Sequence, residues 1–449
     1  MKTNSITSAL LALGVVSIAS AAQANTTVYL VGASALRSTI YQYAQIPGAI
    51  FDADKPAGII LPAGTTSGAA NIVYEGYING NLVDIDAYWA GAEAAIADAA
   101  GHQLTETIPA NATLGTPAYS GNLPGVPGVF LNPNSTPTPW TGALVPLSSI
   151  PGAPSVADLA LDDTSQAVSY TPAATYPLTT YGAIAVVPFS FLKGYEKTPD
   201  APWTNIVNVT TAQINTIYTG PQPANFVTGK LDTADTNDSV VITGRNYGSG
   251  TRVNALLTAQ VNLNATVDQW AVDPNYTTPG LLGTDTAYSS PSLGLVDVGN
   301  DGFNASGQAA DQLAFDLTGE GGILIEPLAV PDAATVHTSP PSGGGAPTYL
   351  SYNGVYESDQ GVINGTYTFW GNENLYGSHN QSPTSIQGET GLAIYNGLKA
   401  VLLTNGAGTA TGAVGPTYTA QSALIPETYL QVSRSGDSGF PTPALHNGI

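Results

Sequence analysis

The chain of 449 residues is about three times the length of a typical domain. It carries 32 acidic and 10 basic residues, a net charge of -22, which argues against nucleic acid and anionic lipid as partners because both need clustered Lys and Arg. The hydrophobic fraction of 43% is enough for a large core, and the absence of Cys excludes disulfides, thiol catalysis and Cys-bound metals.

The N-terminus has the features of a secretory signal peptide. Lys2 supplies the positive region, residues 9–18 form the apolar run, and residues 22–24 (AQA) are an A-x-A cleavage site. The apolar run is shorter than the ~20 residues that a membrane-spanning helix needs. We therefore expect residues 1–24 to be removed, and the mature chain, beginning at Asn25, to be exported to the periplasm or the medium.

Short apolar strands, glycine turns and helices recur along the chain. Strands are predicted at residues 27–31, 72–75, 83–88, 156–161, 184–187, 240–243, 323–325 and 349–352. Helices are predicted at residues 35–44, 91–100, 211–218, 306–315 and 391–403, and in the segment after Gly250 that carries Val253, Leu256 and Leu257. This recurring unit predicts an α/β fold with parallel strands, in which ligands bind at the carboxyl ends of the strands.

Three further local features give predictions of their own. Thr210 is a plausible N-cap for the helix that follows it. Residues 103–154 are rich in Pro, Gly, Thr and Asn, which indicates a long surface insertion. In the last helix, one apolar face is predicted to contain Leu392, Tyr395, Leu398 and Leu402.

Residues 245–251 (RNYGSGT) lie between a predicted strand and a predicted helix and are the most informative stretch. Gly248 and Gly250 allow a tight turn with exposed amides, Ser249 and Thr251 add hydroxyl groups, and Arg245 adds a forked cation. The pattern predicts a small oxyanion-binding loop. A plain glycine turn with a capping serine is the alternative interpretation.

Other sites are less well supported. Residues 297–302 and 232–238 have oxygen ligands at calcium-like spacing, but neither fits an EF-hand loop, and a solvated acidic turn is the alternative. The segment around Ser249 lacks the G-x-S-x-G pattern of a serine hydrolase. We therefore predict no catalytic residues, no cofactor and no enzyme activity.

The R-x-x-G-S-G-T stretch resembles the phosphate-binding loop of periplasmic phosphate-binding proteins, the receptors of phosphate ABC importers. Residues 31–35 (VGASA) resemble the opening strand and turn of that family, and Asp162 and Asp163 resemble its strand-end S-D pair. Further similar segments, in the same order, are residues 184–188, 210–220 (TTAQINTIYTG), 349–352 and 365–367.

The resemblance implies a two-lobed, type II periplasmic-binding-protein-like fold, in which each lobe has a mainly parallel sheet flanked by helices, with long loop insertions. Lobe one would comprise residues 25–180 and 348–449, and lobe two residues 181–347. It also implies that phosphate or a similar oxyanion binds in an interlobe cleft, and that a membrane ABC importer is a partner. The implied ligand-binding residues are Ser34, Ala35, Asp163, Arg245, Ser249, Gly250 and Thr251.

The chain also departs from the family pattern. Ala90 and Ala92 stand where the family has hydroxyl donors, Asp162 stands where it has Ser, and Tyr247 replaces an acidic residue. The missing hydroxyl groups at Ala90 and Ala92, the Pro/Thr/Asn-rich insertions and the low charge density favour an alternative function, a secreted surface or assembly protein that keeps the fold and has lost or altered its ligand.

Overall fold

The computed structural model describes residues 26–33, 36–55, 57–60, 71–89, 91–101, 129–131, 138–139, 157–230, 238–272, 294–300, 302–303, 305–379, 381–402, 424–433 and 442–443. The predicted signal peptide lies outside these residues. Most of the predicted insertion at residues 103–154 also lies outside them, apart from two short strands.

The strands, numbered in chain order, are β1 Thr26–Gly32, β2 Ala57–Ile60, β3 Asn71–Ile78, β4 Asn81–Tyr88, β5 Val129–Leu131, β6 Thr138–Pro139, β7 Leu159–Asp162, β8 Thr179–Lys193, β9 Asn208–Val209, β10 Gln222–Pro223, β11 Ser239–Ile242, β12 Gln269–Ala271, β13 Val296–Gly299, β14 Gly322–Ala329, β15 Thr348–Tyr352, β16 Trp370–Gly377, β17 Ile425–Pro426, β18 Val432–Ser433 and β19 Thr442–Pro443. The α-helices are α1 Arg37–Tyr43, α2 Ala92–Ala100, α3 Ala201–Asn205, α4 Thr211–Ile217, α5 Ala224–Thr228, α6 Gly250–Thr258, α7 Ser306–Gln312, α8 Val330–Thr338, α9 Asp359–Asn364 and α10 Ile386–Val401. The predicted α/β class is confirmed.

One mixed sheet of fifteen strands organises the described part of the chain. Parallel pairs join β1 to β4 and β7, β11 to β14, and β9 to β15. Antiparallel pairs join β16 to β7 and β8, and β14 and β15 to β8. The carboxyl ends of β1, β4 and β7 therefore meet at one edge of the sheet.

The long strand β8 connects two regions of this sheet. Its first part, up to Pro188, pairs with β16, and its second part, from Phe189 to Lys193, pairs with β14. β8 therefore runs through the predicted lobe boundary at residue 180, and β15, which opens the predicted return segment at residue 348, also pairs with its second part. The lobe boundaries stay a prediction.

Side-chain caps explain where several helices begin. Thr210 and Gln213 form a reciprocal capping box at the start of α4, which confirms the predicted N-cap. Ser249, Ser358 and Ser385 cap α6, α9 and α10 by accepting a hydrogen bond from a backbone N–H three residues further on. These bonds satisfy amide groups that have no partner within the helix.

The predicted apolar face of α10 is partly wrong. Leu392 is 39% exposed, whereas Ile394, Leu398 and Leu402 are buried in the main core. Gly397 lets this face of α10 lie directly on the backbone at Ala49, since a Cβ at position 397 would be 1.3 Å from the carbonyl oxygen of Ala49. None of the helices in the ranges given above is long and apolar enough to cross a membrane.

Candidate functional site

The candidate site lies where α2 and α6 begin beside the carboxyl ends of β1 and β7. The amide of Gly91 donates to the carbonyl oxygen of Gly32 at 3.1 Å, which ties the start of α2 to the end of β1. The carbonyl oxygen of Gly248 accepts from the amides of Glu93 at 3.2 Å and Ala94 at 3.4 Å. The loop before α6 is therefore bonded directly to the first turn of α2.

The close approach of these two segments depends on glycine at position 91. Gly91 has a φ of 123°, and a Cβ there would lie 2.3 Å from the carbonyl oxygen of Gly248. Only glycine adopts such a conformation readily and leaves room for the oxygen. Ala90, Ser34 and Ala35, which the sequence places next to this junction, lie outside the described residues.

Asp163 and Gly250, predicted from distant parts of the sequence, lie together. A Cβ on Gly250 would be 1.6 Å from Oδ1 of Asp163 and 2.8 Å from Cβ of Ala92. Asn254 holds the pair from the next turn of α6, donating from Nδ2 to the carbonyl oxygen of Asp163 at 2.8 Å and to that of Gly250 at 3.0 Å. The carboxylate of Asp163 thus lies against the start of α6, where the helix dipole favours negative charge.

Arg245 lies in the loop before α6 and is only 4% exposed. Its Nε donates to the carbonyl oxygen of Phe303 at 3.1 Å, and this hydrogen bond fixes the position of the guanidinium group. Burial lowers the pKa of Arg245, and the negative charges of Asp332, Asp163 and Glu326 oppose that shift. The predicted cation is therefore close to Asp163 and to two further acidic groups.

The hydroxyl residues of the predicted loop are buried at the start of α6. The Oγ of Ser249 accepts from the amide of Arg252 at 3.4 Å, so Ser249 is the N-cap of the helix. Thr251 follows one residue inside the helix and is also buried. The capping interpretation of this stretch is thus correct for Ser249, and the structure places Arg245, Ser249, Gly250, Thr251 and Asp163 in one region.

Arg252 is a structural residue of this region that the sequence analysis missed. Its guanidinium donates from Nη1 to the carbonyl oxygen of Arg245 at 3.1 Å and from Nη2 to Oδ1 of Asn300 at 2.8 Å. It also stacks on the ring of Tyr247 at 4.5 Å, and Tyr247 packs edge-on against Tyr170. Arg252 therefore fixes the loop that carries Arg245, a role that its sequence position, inside an ordinary-looking helix, does not reveal.

In one of the two calcium-like segments, residues 297–302, side-chain oxygens accept hydrogen bonds from the protein. Asn300 accepts from Arg252, and also from the amide of Val267 at 3.0 Å, while Oδ1 of Asp297 accepts from the amide of Gly299 at 2.7 Å. Asp301 and residues 231–237 lie outside the described residues. Within the described ranges, no group of three or more His, Asp or Glu side chains is placed to hold a metal ion.

Three more carboxyl groups lie behind Asp163. Glu93 of α2, Asp162 at the end of β7 and Glu373 of β16 each have 0% exposure. Burial raises the pKa of Glu93 to about 8, and it raises the pKa values of Asp162 and Glu373 well above their ordinary range, with neighbouring carboxylates adding to both shifts. Asp162 was noted in the sequence as an extra acid, whereas Glu93 and Glu373 belong to the site only because of the fold.

No protein-family model matches the chain, and no curated protein matches it. Among solved structures, it is similar to a possible phosphate binding protein from Planctomyces limnophilus DSM 3776, with 8% identity, coverage of 86% of this chain and 90% of that chain, and a TM-score of 0.37. It is also similar to an ABC-type phosphate transport receptor from Vibrio cholerae (12% identity, 59% and 84% coverage, TM-score 0.31) and to PstS from Borrelia burgdorferi (12% identity, 80% and 88% coverage, TM-score 0.31). These identities leave the chemistry of the site to be read from the residues of this chain.

Proposed function

We propose that the mature chain is an exported solute-binding protein that takes a small oxyanion, with hydrogen phosphate preferred, at Asp163, Arg245 and the first turn of α6. The observation that carries this proposal is the proximity of a buried guanidinium to a buried carboxylate at the start of a nine-residue helix. A guanidinium binds an oxyanion through two parallel hydrogen bonds, and the helix start adds a partial positive charge.

The acidic surroundings of Arg245 favour an anion that carries a proton. Asp163 can accept a hydrogen bond from hydrogen phosphate, whereas it can only repel sulfate, which has no proton to donate. Asp332 and Glu326 add to the negative potential around Arg245. We expect phosphate to bind at least about 100-fold more tightly than sulfate, a difference of roughly 2.7 kcal/mol.

Calorimetric titration of the purified mature protein with phosphate, arsenate and sulfate tests this proposal. We expect binding of phosphate and arsenate and much weaker binding of sulfate. Sulfate affinity equal to phosphate affinity, or no heat from any of the three at millimolar concentration, would contradict it.

Variants of Arg245 test the residue itself. Arg245→Ala should abolish phosphate binding, and Arg245→Lys should restore only part of it, because an ammonium group lacks the planar fork. Lys230→Ala is the matched control, since it removes the same charge from an exposed position. Near-normal affinity in Arg245→Ala would remove this residue from the site.

A second proposed function is a secreted surface or assembly protein that keeps this fold without a ligand. It is favoured by the close packing at Gly250, where Asp163 and the methyl group of Ala92 fill the space in front of this residue. Failure of all three anions to bind at millimolar concentration would support it.

If phosphate binds, we further propose that the protein binds it without catalysis and delivers it to a membrane ABC importer. Stimulation of the ATPase activity of the importer in proteoliposomes would test this proposal.

A further inference from the structure

Three elements bring carboxyl groups together behind the candidate site with no cation among them. Glu93, Asp162 and Glu373, here called the buried carboxyl cluster, come from α2, β7 and β16 and are all fully buried. β16 pairs directly with β7, with Asn374 opposite Asp162, so Glu373 lies beside the end of β7. If all three carboxyl groups were ionised while buried away from solvent, the free-energy cost would be large.

The contacts of Thr164 support the presence of at least one proton in the cluster. Its Oγ1 lies 2.8 Å from Oδ1 of Asp162 and 3.1 Å from Oε1 of Glu93. A hydroxyl group has one proton and can donate fully to only one of these oxygens. Both contacts become hydrogen bonds when the other carboxyl is protonated and donates to Oγ1. The amide of Thr164 donates to Asp162 at 2.9 Å and that of Tyr170 donates to Glu93 at 2.9 Å, so both acids are held in this arrangement.

Glu373 indicates a second proton. Neither of its carboxylate oxygens has a hydrogen-bond partner among the described residues, and its side chain is fully buried. An ionised carboxylate without donors in such surroundings has neither water nor protein groups to stabilise it. The neutral acid removes most of that cost. The raised pKa values of all three acids agree with this assignment.

Other charged and titratable groups lie near the cluster. They are Asp163 and Tyr170 from the loop after β7, and Arg245, Tyr247 and Arg252 from α6 and the loop before it. Of the two cations, Arg245 interacts with Asp163 and Arg252 with Tyr170. Both cations are therefore linked to the cluster through these residues.

We propose that the buried carboxyl cluster stores at least two protons at neutral pH and that losing them weakens anion binding at the adjacent site. The link is Asp163, which directly follows Asp162 and lies against Gly250 at the start of α6. Each proton released leaves a negative charge next to the place where the anion would lie, and the surrounding dielectric is too low to screen it well. The presence of these protons does not depend on the proposed function, whereas their effect on anion binding rests on that function.

Infrared difference spectroscopy of the mature protein tests the proton store directly. At pH 7 we expect the carbonyl band of protonated carboxyl groups, and it should fade as the pH rises past 8. Glu373→Gln should remove part of this band, and Glu320→Gln, a partly exposed glutamate outside the cluster, should leave it unchanged. A wild-type protein without this band at pH 7 would overturn the inference, whether or not the variants fold.

Stability against pH gives an independent readout. The folded state holds protons that the unfolded chain would release near pH 4, so the contribution of the cluster to stability is most favourable in acid and falls as the pH rises towards about 8. Asp162→Asn and Glu373→Gln should each flatten this dependence in urea unfolding experiments. Slopes identical to that of the wild type in both variants would contradict the proposal.

Calorimetry with phosphate tests the effect on the site. Between pH 7 and pH 9 the affinity of the wild type should fall at least about tenfold more than that of Glu93→Gln, which cannot ionise at this position. Equal falls in the two proteins would refute the coupling and leave the proposed function standing. An infrared band without any phosphate binding would refute the proposed function and leave the proton store standing.

Discussion

Replacing Gly250 by alanine should destabilise the protein, although alanine normally favours a helix. The new Cβ would lie 1.6 Å from Oδ1 of Asp163 and 2.8 Å from Cβ of Ala92, far inside contact distance. The side chain of Asp163 would have to leave the start of α6. Overpacking of this kind costs about 1–3 kcal/mol, and loss of the carboxylate from the helix start adds about 0.3–1 kcal/mol. We expect a total loss of about 1–4 kcal/mol.

Gly307→Ala is the matched control. Gly307 also lies in the first turn of a helix, α7, and a Cβ there would meet nothing within 4 Å. This substitution should stabilise the protein by about 0.4–1 kcal/mol through the lower entropy of the unfolded chain. Urea unfolding followed by tryptophan fluorescence measures both variants. If Gly250→Ala were as stable as Gly307→Ala, the carboxylate of Asp163 could not lie against Gly250, and the site geometry described above would be wrong.

Three further predictions concern the loop, the sheet and the N-terminus. Arg252→Met should cost about 2–4 kcal/mol, because it leaves carbonyl groups of the loop without donors, and an unchanged thermal midpoint would contradict this role. Burial raises the pKa of Asp86 to about 7, so this residue should reduce stability as the pH rises from about 4 through 7, by up to about 4 kcal/mol. Asp86→Asn should remove that loss, which urea unfolding at pH 5 and pH 8 would measure. N-terminal sequencing of the exported protein should begin at Asn25, and full-length protein kept in the cytoplasm would refute the signal-peptide prediction.

Local features of the sequence were enough to predict many of the elements. The apolar run of β1, the capping pair Thr210 and Gln213, and the glycine-rich turn before α6 all act over a few residues, through side-chain alternation, backbone freedom and hydrogen bonds to nearby amides. The sequence could therefore predict these elements without knowledge of what packs on them. The resemblance of separate motifs also selected Asp163, Arg245 and Gly250 as neighbours before any distance was known.

The tertiary structure decided which side chains are buried and what they meet. Leu392 is exposed and Ile394 is buried because Gly397 lets α10 lie directly on the carbonyl oxygen of Ala49, a contact nearly 350 residues away in the chain. In the sequence Arg252 looks like an ordinary helical residue, but its contacts with Asn300 and Tyr247 fix the position of its guanidinium.

The buried carboxyl cluster is the clearest case. Glu93, Asp162 and Glu373 are ordinary acids in sequence, and only the pairing of β16 with β7, together with the docking of α2, removes them from water. Desolvation depends on every element that surrounds a group, and those elements are distant in sequence. The sequence by itself therefore determined the local elements and the motif at the site, while the fold decided the burial of the acids around that site and so the raised pKa values that follow from it.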